Sequence, residues 1–446
     1  MKAISMPEYG RLERSSLPGR LLRRLQAFDE RHGRLTGACV FDWDHLKYVG
    51  ATNQVGVIQV PGLTIEILPK IDHSPLAADT FGPSDQAKYL AQGNLLYMLA
   101  LTGSIPAHYR GIAGLRPQRM SLLESLIAVF VEKLLGELRK GIHHAYVTRE
   151  ENSVFMRGKL LVAQQIRHNA VHDERTFVQY EEFVPDTPLN RIFKATCHRL
   201  LAVTGQNVVQ QRLREALVHF ADVQSYPVRL HDFDRLHMNR DAERFSSLLA
   251  FCRMVLLGTS PAPSLGDTRT FSLLFPMEVL YEQFVAQFML RHAETIDVNR
   301  GQVHIQARHK WEWLLRSEDD KPKFRLKPDI IIDHANGKTR LLIDTKWKRL
   351  KSDFEDAKNG VSQADLYQMF AYCYRFESPD NVLLYPKVDG VTPKAYRVAG
   401  DETKRLRVAF VDLNRDLTQR WAREALANEL REIIHGSATS RVTTSM

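Results

Sequence analysis

The sequence predicts an α/β protein in which a β-rich N-terminal module with helices precedes a mixed sheet flanked by helices. Three features carry that prediction. Val55, Val57, Ile58 and Val60, then Leu63, Ile65 and Ile67, form short β-favouring runs separated by Pro61 and Gly62. Apolar residues recur at helical spacing in several longer segments that follow. Ile330 to Ile332 and Leu341 to Ile343 flank Asn336 and Gly337, a strong hairpin signal.

At 446 residues the chain exceeds the roughly 250 to 300 residues that one core usually fills, so two or more domains are expected. Hydrophobic residues at 44% and charged residues at 25% exclude disordered and fibrous classes. The formal net charge of +9 favours polyanionic partners, because many basic side chains together attract phosphate backbones. Cys39, Cys197, Cys252 and Cys373 are too scattered for a CxxC metal site and read as reduced core thiols of a cytoplasmic protein. Polar and charged residues follow Met1, and no apolar run approaches the ~20 residues needed to cross a bilayer, so no membrane partner is expected.

Along the chain, Arg11, Arg14, Arg20, Arg23, Arg24, Arg31 and Arg34 read as a solvated helix face, with nucleic-acid or partner contact as the alternative. Residues 48–60 read as strand, and the alternation at Leu63, Ile65 and Ile67 stops at Pro69. Helical spacing follows over 88–101 and 120–140, where Leu122, Leu123, Leu126, Phe130, Leu134 and Leu138 form one core-facing stripe. A polar, irregular stretch over 141–159 leads to a helical segment at 160–167. Further helices are predicted over 187–203, 207–220, 238–257 and 275–292, and LGTSPAPSLGD at 257–267 reads as a linker or surface loop. These features divide the chain into 1–170, a helical region at 171–265, a core at 266–436 and a flexible Ser/Thr-rich tail at 437–446.

The chemistry concentrates in FRLKPDIIIDHANGKTRLLIDTKWK, residues 324–348. With Asn336 and Gly337 as a two-residue loop, Asp329 falls opposite Asp344. Opposed strand residues have Cβ atoms about 4.5 to 5.5 Å apart, from which two carboxylates can share hard cations such as Mg²⁺. Lys346, two positions beyond Asp344, shares its face and can orient water or stabilise a phosphate transition state. Phosphodiester hydrolysis needs this combination, because a weak nucleophile attacks an anion while negative charge builds on the attacking and leaving oxygens.

Pro328 and Asp329, followed by Asp344, Thr345 and Lys346 and by the helical run DLYQMFAYCY at 365–374, resemble the PD-(D/E)XK nuclease superfamily. The wider pattern is similar to the McrC family, nuclease subunits of the GTP-dependent McrBC restriction system for 5-methylcytosine. It is carried by VGVIQVPGLTIEILPKI (55–71), NRIFKAT (190–196), FPMEVLYEQFVAQFM (275–289), LKPDIII with LLIDTKWK, DLYQMFAY (365–372) and VLLYP (382–386). The resemblance implies a PD-(D/E)XK nuclease core at 266–436, a partner-binding module at 1–170, and Mg²⁺ as cofactor. It also implies a McrB-like AAA+ GTPase partner that uses the GTP, and double-stranded DNA containing modified cytosine as substrate. Asp329, Asp344 and Lys346 are the catalytic residues it carries over. Gln368 and Tyr372, four apart on one helix face, support the site or simply pack. Glu278 is a further metal-ligand candidate, with Glu282 beside it and surface salt bridging as the other reading. Lys323, Arg325 and Lys327 before the hairpin, and Lys348 and Arg349 after it, are DNA-backbone candidates.

Three other chemistries fit less well. Gly337, Lys338 and Thr339 resemble the end of a nucleotide-binding loop, but Ile332 stands where GxxxxGK[ST] requires glycine, so no intrinsic nucleotide site is expected. The dispersed histidines, His143 and His144 included, make no zinc pattern. A carboxylate-based glycosidase is disfavoured by the lysine beside Asp344. The alternative function is a catalytically inactive adaptor that binds DNA or activates the GTPase.

Overall fold

The computed structural model describes residues 2–71, 85–107, 120–172, 174–236, 242–257, 270–307, 310–350 and 360–436. The chain begins with β1 (Lys2–Pro7), β2 (Arg11–Glu13), α1 (Gly19–Thr36), β3 (Phe41–Asp42), β4 (Tyr48–Ala51), β5 (Gln54–Val60), β6 (Leu63–Leu68), α2 (Asp85–Leu101) and α3 (Leu122–Leu138). It continues through β7 (Ala145–Ser153), β8 (Lys159–Leu160), α4 (Val162–Asn169), β9 (Thr176–Val184), α5 (Pro188–Leu201), α6 (Asn207–Val218), α7 (Leu230–Asp234) and α8 (Ser246–Leu257). Then come β10 (Phe271–Pro276), α9 (Met277–Arg291), α10 (Ala293–Ile296), β11 (Val303–Ile305), β12 (Glu312–Arg316), β13 (Pro322–Leu326), β14 (Ile330–Asp333) and β15 (Thr339–Thr345). The last elements are α11 (Gln363–Arg375), β16 (Asp380–Pro386), β17 (Lys394–Val398), β18 (Asp401–Val411) and α12 (Arg420–His435). This is the expected α/β architecture, with a β-rich beginning and a mixed sheet flanked by helices.

Two compact units form, one from Met1–Ser125 with Asp267–Met446 and the other from Leu126–Gly266. In the first, a four-stranded sheet has the order β1-β6-β5-β10. Val60 pairs with Leu63 across Pro61 and Gly62, and Gly62 has φ 93°, the left-handed conformation that a turn with proline at its first central position demands of its second. β10 pairs antiparallel with β5, Phe275 opposite Val55, so residues beyond 266 complete a sheet begun at residue 2. One division between the units falls one residue from the cut at 265 read from the sequence, whereas the other lies at 125 and not at 170, and the first unit is built from two separate stretches.

Every residue of β5 and β6 is buried, the polar positions between Leu63, Ile65 and Ile67 included. Glu66 tolerates burial because its carboxylate accepts from Leu122 N at 2.6 Å and Ser5 Oγ at 3.0 Å.

The second sheet of this unit has six strands in the order β11-β14-β15-β16-β18-β17. β15, β16 and β18 run parallel, and the β11–β14, β14–β15 and β17–β18 pairs are antiparallel. The β14–β15 turn differs in detail from the two-residue loop expected. His334 N donates to Lys338 O and Gly337 N to His334 O, with Gly337 at φ 80°, so Ala335, Asn336 and Gly337 form a three-residue loop. A register shift between Ile332 and Asp333 compensates, and Ile330 still pairs with Ile343. The register that faces Asp329 with Asp344 is thus reached by a longer loop and a bulge. Met369 and Tyr372 of α11, with Phe376 just beyond its end, pack with Ile331, Leu342, Leu383, Leu406 and Val408 of this sheet. α9 lies against β15, and α12 against β18.

The unit at Leu126–Gly266 holds most of the departures from the sequence reading. Residues 141–159, expected to be irregular, contain β7, which pairs along its whole length with β9. Its side chains are mostly exposed on both faces, so no hydrophobic period marks it. Cross-strand contacts hold it instead, including Arg149 to Glu182 at 3.0 Å. The helices predicted around 187–203 and 207–220 form as α5 and α6, and Thr187 caps α5 by accepting from Asn190 N.

Cys197, Cys252 and Cys373 are buried, but Cys39 is exposed just beyond the end of α1, correcting its expected core placement. Among the described residues no helix is long and apolar enough to cross a membrane. Most of the expected linker at 257–267 and the tail at 437–446 lie outside the described residues.

Candidate active site

Asp329 stands immediately before β14, and its backbone oxygen accepts from Gln306 N at 2.8 Å. Asp344 lies near the end of β15 and is 2% exposed. Lys346 extends the parallel ladder by one step, donating from its backbone N to Leu384 O at 2.9 Å. The apolar strands on both sides thus bring two carboxylates and an ammonium to one end of the sheet.

The side chains converge as the register requires. Lys346 Nζ lies 2.6 Å from Asp344 Oδ2. That ion pair is close but poorly aligned, and the buried Oδ2 has no aligned hydrogen-bond donor among the described residues. Lys346 Nζ also donates to Gln368 Oε1 at 2.9 Å, and Gln368 Nε2 donates to the Tyr372 hydroxyl at 2.8 Å. Asp329 Oδ2 accepts from both Thr345 N and Thr345 Oγ1 at 2.6 Å.

Burial and mutual repulsion dominate the electrostatics. The Asp329 carboxyl is pushed up to about 7, first by burial, then by the charges of Asp344 and Glu282, against the Thr345 hydrogen bonds. Burial also raises Asp344, opposed by Lys346 and reinforced by Asp365 and Glu282. For Lys346, burial favours the neutral amine, but Asp344, Asp365 and Asp329 outweigh it and hold the ammonium charged.

The remaining predicted residues divide. Gln368 and Tyr372 join the site, Tyr372 buried beneath it. Glu278 is exposed, whereas Glu282, one helical turn further along α9, is half-buried and influences both aspartates. Lys323 and Lys327 are exposed, and Arg325 lies over the Trp311 ring at 3.9 Å. Lys348 turns to Asp365, with Nζ 3.0 Å from both carboxylate oxygens, and Arg349 lies close enough to Glu8 to stabilise its charge.

Asp365 and Glu8 escaped the sequence reading. Asp365 opens α11 within the DLYQMFAY run and also accepts from the Tyr385 hydroxyl at 3.3 Å. Glu8, at 1% exposure, receives the Trp347 indole N–H at 2.9 Å on each carboxylate oxygen and Lys70 N at 2.9 Å. It ties the end of β1 to the residue following Lys346. No local sequence pattern joins positions so far apart.

Among the described residues, no three His, Cys, Asp or Glu side chains are gathered to hold a metal by themselves. The Asp329 and Asp344 oxygens, including the unaligned Oδ2, fit Mg²⁺, which commonly takes one or two carboxylates and completes its shell with water and phosphate oxygens.

A family model described as "McrBC 5-methylcytosine restriction system component" matches residues 49–386. No curated protein matches the sequence. A chain of the refined half-complex from a tetradecameric assembly of Thermococcus gammatolerans McrB AAA+ hexamers with bound McrC is similar in fold, with TM-score 0.70 and 18% identity over 97% of this chain and 100% of that one. A chain of the cryo-EM structure of the Thermococcus gammatolerans McrBC complex matches with TM-score 0.53 and 21% identity over 66% of this chain and 88% of that one.

Proposed function

The chain belongs to the McrBC 5-methylcytosine restriction system component family, and from that premise we propose that it is the nuclease component, a PD-(D/E)XK enzyme hydrolysing DNA phosphodiester bonds. The observation that carries this reading is the convergence of Asp329, Asp344 and Lys346 at one sheet end, with Lys346 Nζ 2.6 Å from Asp344 Oδ2 and 2.9 Å from Gln368 Oε1.

Bound Mg²⁺ supplies Lewis-acid polarisation of the phosphate and makes water a stronger acid. Asp329 and Asp344 are the residues that would hold it. Thr345 fixes the orientation of Asp329 through two hydrogen bonds. Lys346, held protonated, orients the attacking water and offsets charge developing on the phosphate, and it does not serve as the proton acceptor. Gln368 limits the freedom of the ammonium while Tyr372 supports Gln368 from below. Lys323, Arg325 and Lys327, on or just after β13, supply positive charge for the DNA backbone.

The partner in this reading is an AAA+ GTPase that selects modified cytosine and consumes GTP. Ile332 at the position of the required first glycine supports a separate nucleotide-binding subunit. Tyr146, Val154, Phe155 and Met156, exposed on and just after β7, give the 1–170 segment apolar surface that a protein partner can cover.

A second reading is an adaptor that binds DNA or stimulates the GTPase without cutting. In that reading the Lys346–Asp344 ion pair at 2.6 Å only stabilises the sheet end. Mixing the chain with its cognate GTPase, Mg²⁺, GTP and either methylated or unmethylated DNA separates the two. Cleavage confined to methylated DNA with hydrolysable GTP supports the nuclease, whereas GTPase stimulation without scission supports the adaptor.

A further inference from the structure

We propose that the outer face of α1 is a second DNA-contacting surface, a row of guanidiniums that holds duplex phosphates without reading bases. It rests on DNA being the substrate, but concerns residues outside the family match at 49–386 and far in sequence from the candidate nuclease residues. α1 buries Leu21, Leu25, Asp29 and His32 on one side. At about 100° per residue, Arg20, Arg23, Arg24, Arg31 and Arg34 fall within an arc of roughly 100° on the opposite side. All are exposed.

Alignment on one helix face, together with the lack of carboxylate partners among the described residues, distinguishes this row from basic residues of the mixed sheet and α11. Lys346, Lys348, Arg375 and Arg407 each have a carboxylate partner. Among the described residues Arg20, Arg23, Arg31 and Arg34 have neither hydrogen bond nor ion pair, and Arg24 donates only to the Pro61 carbonyl at 2.7 Å. The helix beneath is fixed: Asp29 accepts from Val40 N at 2.6 Å and the Trp43 indole at 2.8 Å, while Gly37 caps the C-terminus. A rigid helix presenting unpaired cations complements a regular polyanion. From Arg20 to Arg34 it rises about 21 Å, over which a duplex presents roughly a dozen phosphate charges. Guanidinium forks suit phosphate oxygens, and contacts to phosphate hold a duplex without specifying its bases.

The test measures full-chain binding to an unmodified duplex by anisotropy, without divalent metal or GTP, across salt concentrations. Changing Arg20, Arg23, Arg31 and Arg34 together to Gln preserves helix propensity while removing four charges. The salt-dependence slope should fall by about 3.6 if each contacts one phosphate. The wild-type advantage should then shrink roughly 150-fold between about 50 and 200 mM salt. The corresponding lysine variant should recover most of the slope. A control changing Arg139, Arg167, Arg175 and Arg214 to Gln should retain it. A slope change below about one, an equal loss in the control, or no binding by the wild-type chain overturns the proposal. So does an unchanged slope accompanied by weaker GTPase binding, which would make α1 a protein-contact face. Failed DNA cleavage leaves this binding result intact, since scission plays no part in the measurement.

Discussion

Glu8→Gln should remove a pH-dependent weakness from the fold. The wild-type carboxyl is held at about 7 against an ordinary 4.5, with burial as the main cause and Lys70 N, the Trp347 indole and the Arg349 and Lys70 charges opposing it. Between those values the folded protein retains a proton that the unfolded chain has released. Stability contributed by the protonated acid is therefore full below about 4.5, declines through the interval and levels off above about 7. The difference corresponds to about 3 kcal/mol. Gln can accept from Lys70 N and Trp347 Nε1 at one oxygen but cannot ionise. Relative to wild type, the variant should gain about 2.5 kcal/mol between pH 5 and pH 8, whatever offset its amide introduces. Urea unfolding followed by tryptophan fluorescence at several pH values checks this. Parallel wild-type and variant stability profiles would refute burial as the controlling effect.

Lys346→Met should cost about 3 kcal/mol near neutral pH, because Asp344 loses the cation 2.6 Å away while remaining buried, and denaturant unfolding measures that loss. Glu282→Gln should reduce cleavage at least tenfold, whereas exposed Glu278→Gln should leave it nearly unchanged; equal effects in a cleavage time course would contradict the assignment to Glu282. A fragment covering 171–446 should aggregate on size-exclusion chromatography, because β10 loses β5 and Asn94 no longer bonds Leu413 O, Arg415 O and Leu417 N; a soluble folded fragment would show these contacts to be dispensable.

Where a sequence pattern is local, it exposes much of this architecture. Apolar periodicity identifies α3, α5 and α9, and the β-branched residues mark β14 and β15. Strand alternation also places Lys346 on the face of Asp344. β7 was hidden because its exposed polar residues carry no core-facing period, although cross-strand pairs stabilise it. The choice between Glu278 and Glu282 depends on how α9 packs, which helical spacing alone does not determine. Glu8 and Trp347 meet through tertiary folding across almost the whole chain, so neither residue announces the other in sequence. The loop and bulge around Gly337 show a further limit: different local details can produce the same functional register.

The most direct measurement compares wild type with Asp344→Asn in complexes with the cognate GTPase, using methylated DNA, Mg²⁺ and GTP. Asn preserves side-chain size but loses the charge beside Lys346 and the carboxylate proposed for the metal. Assembly and GTPase stimulation should remain close to wild type while DNA scission falls at least a hundredfold, a loss of about 2.7 kcal/mol or more in transition-state stabilisation. Near-wild-type scission by the assembled variant would contradict the assignment of the cleavage centre to Asp329, Asp344 and Lys346.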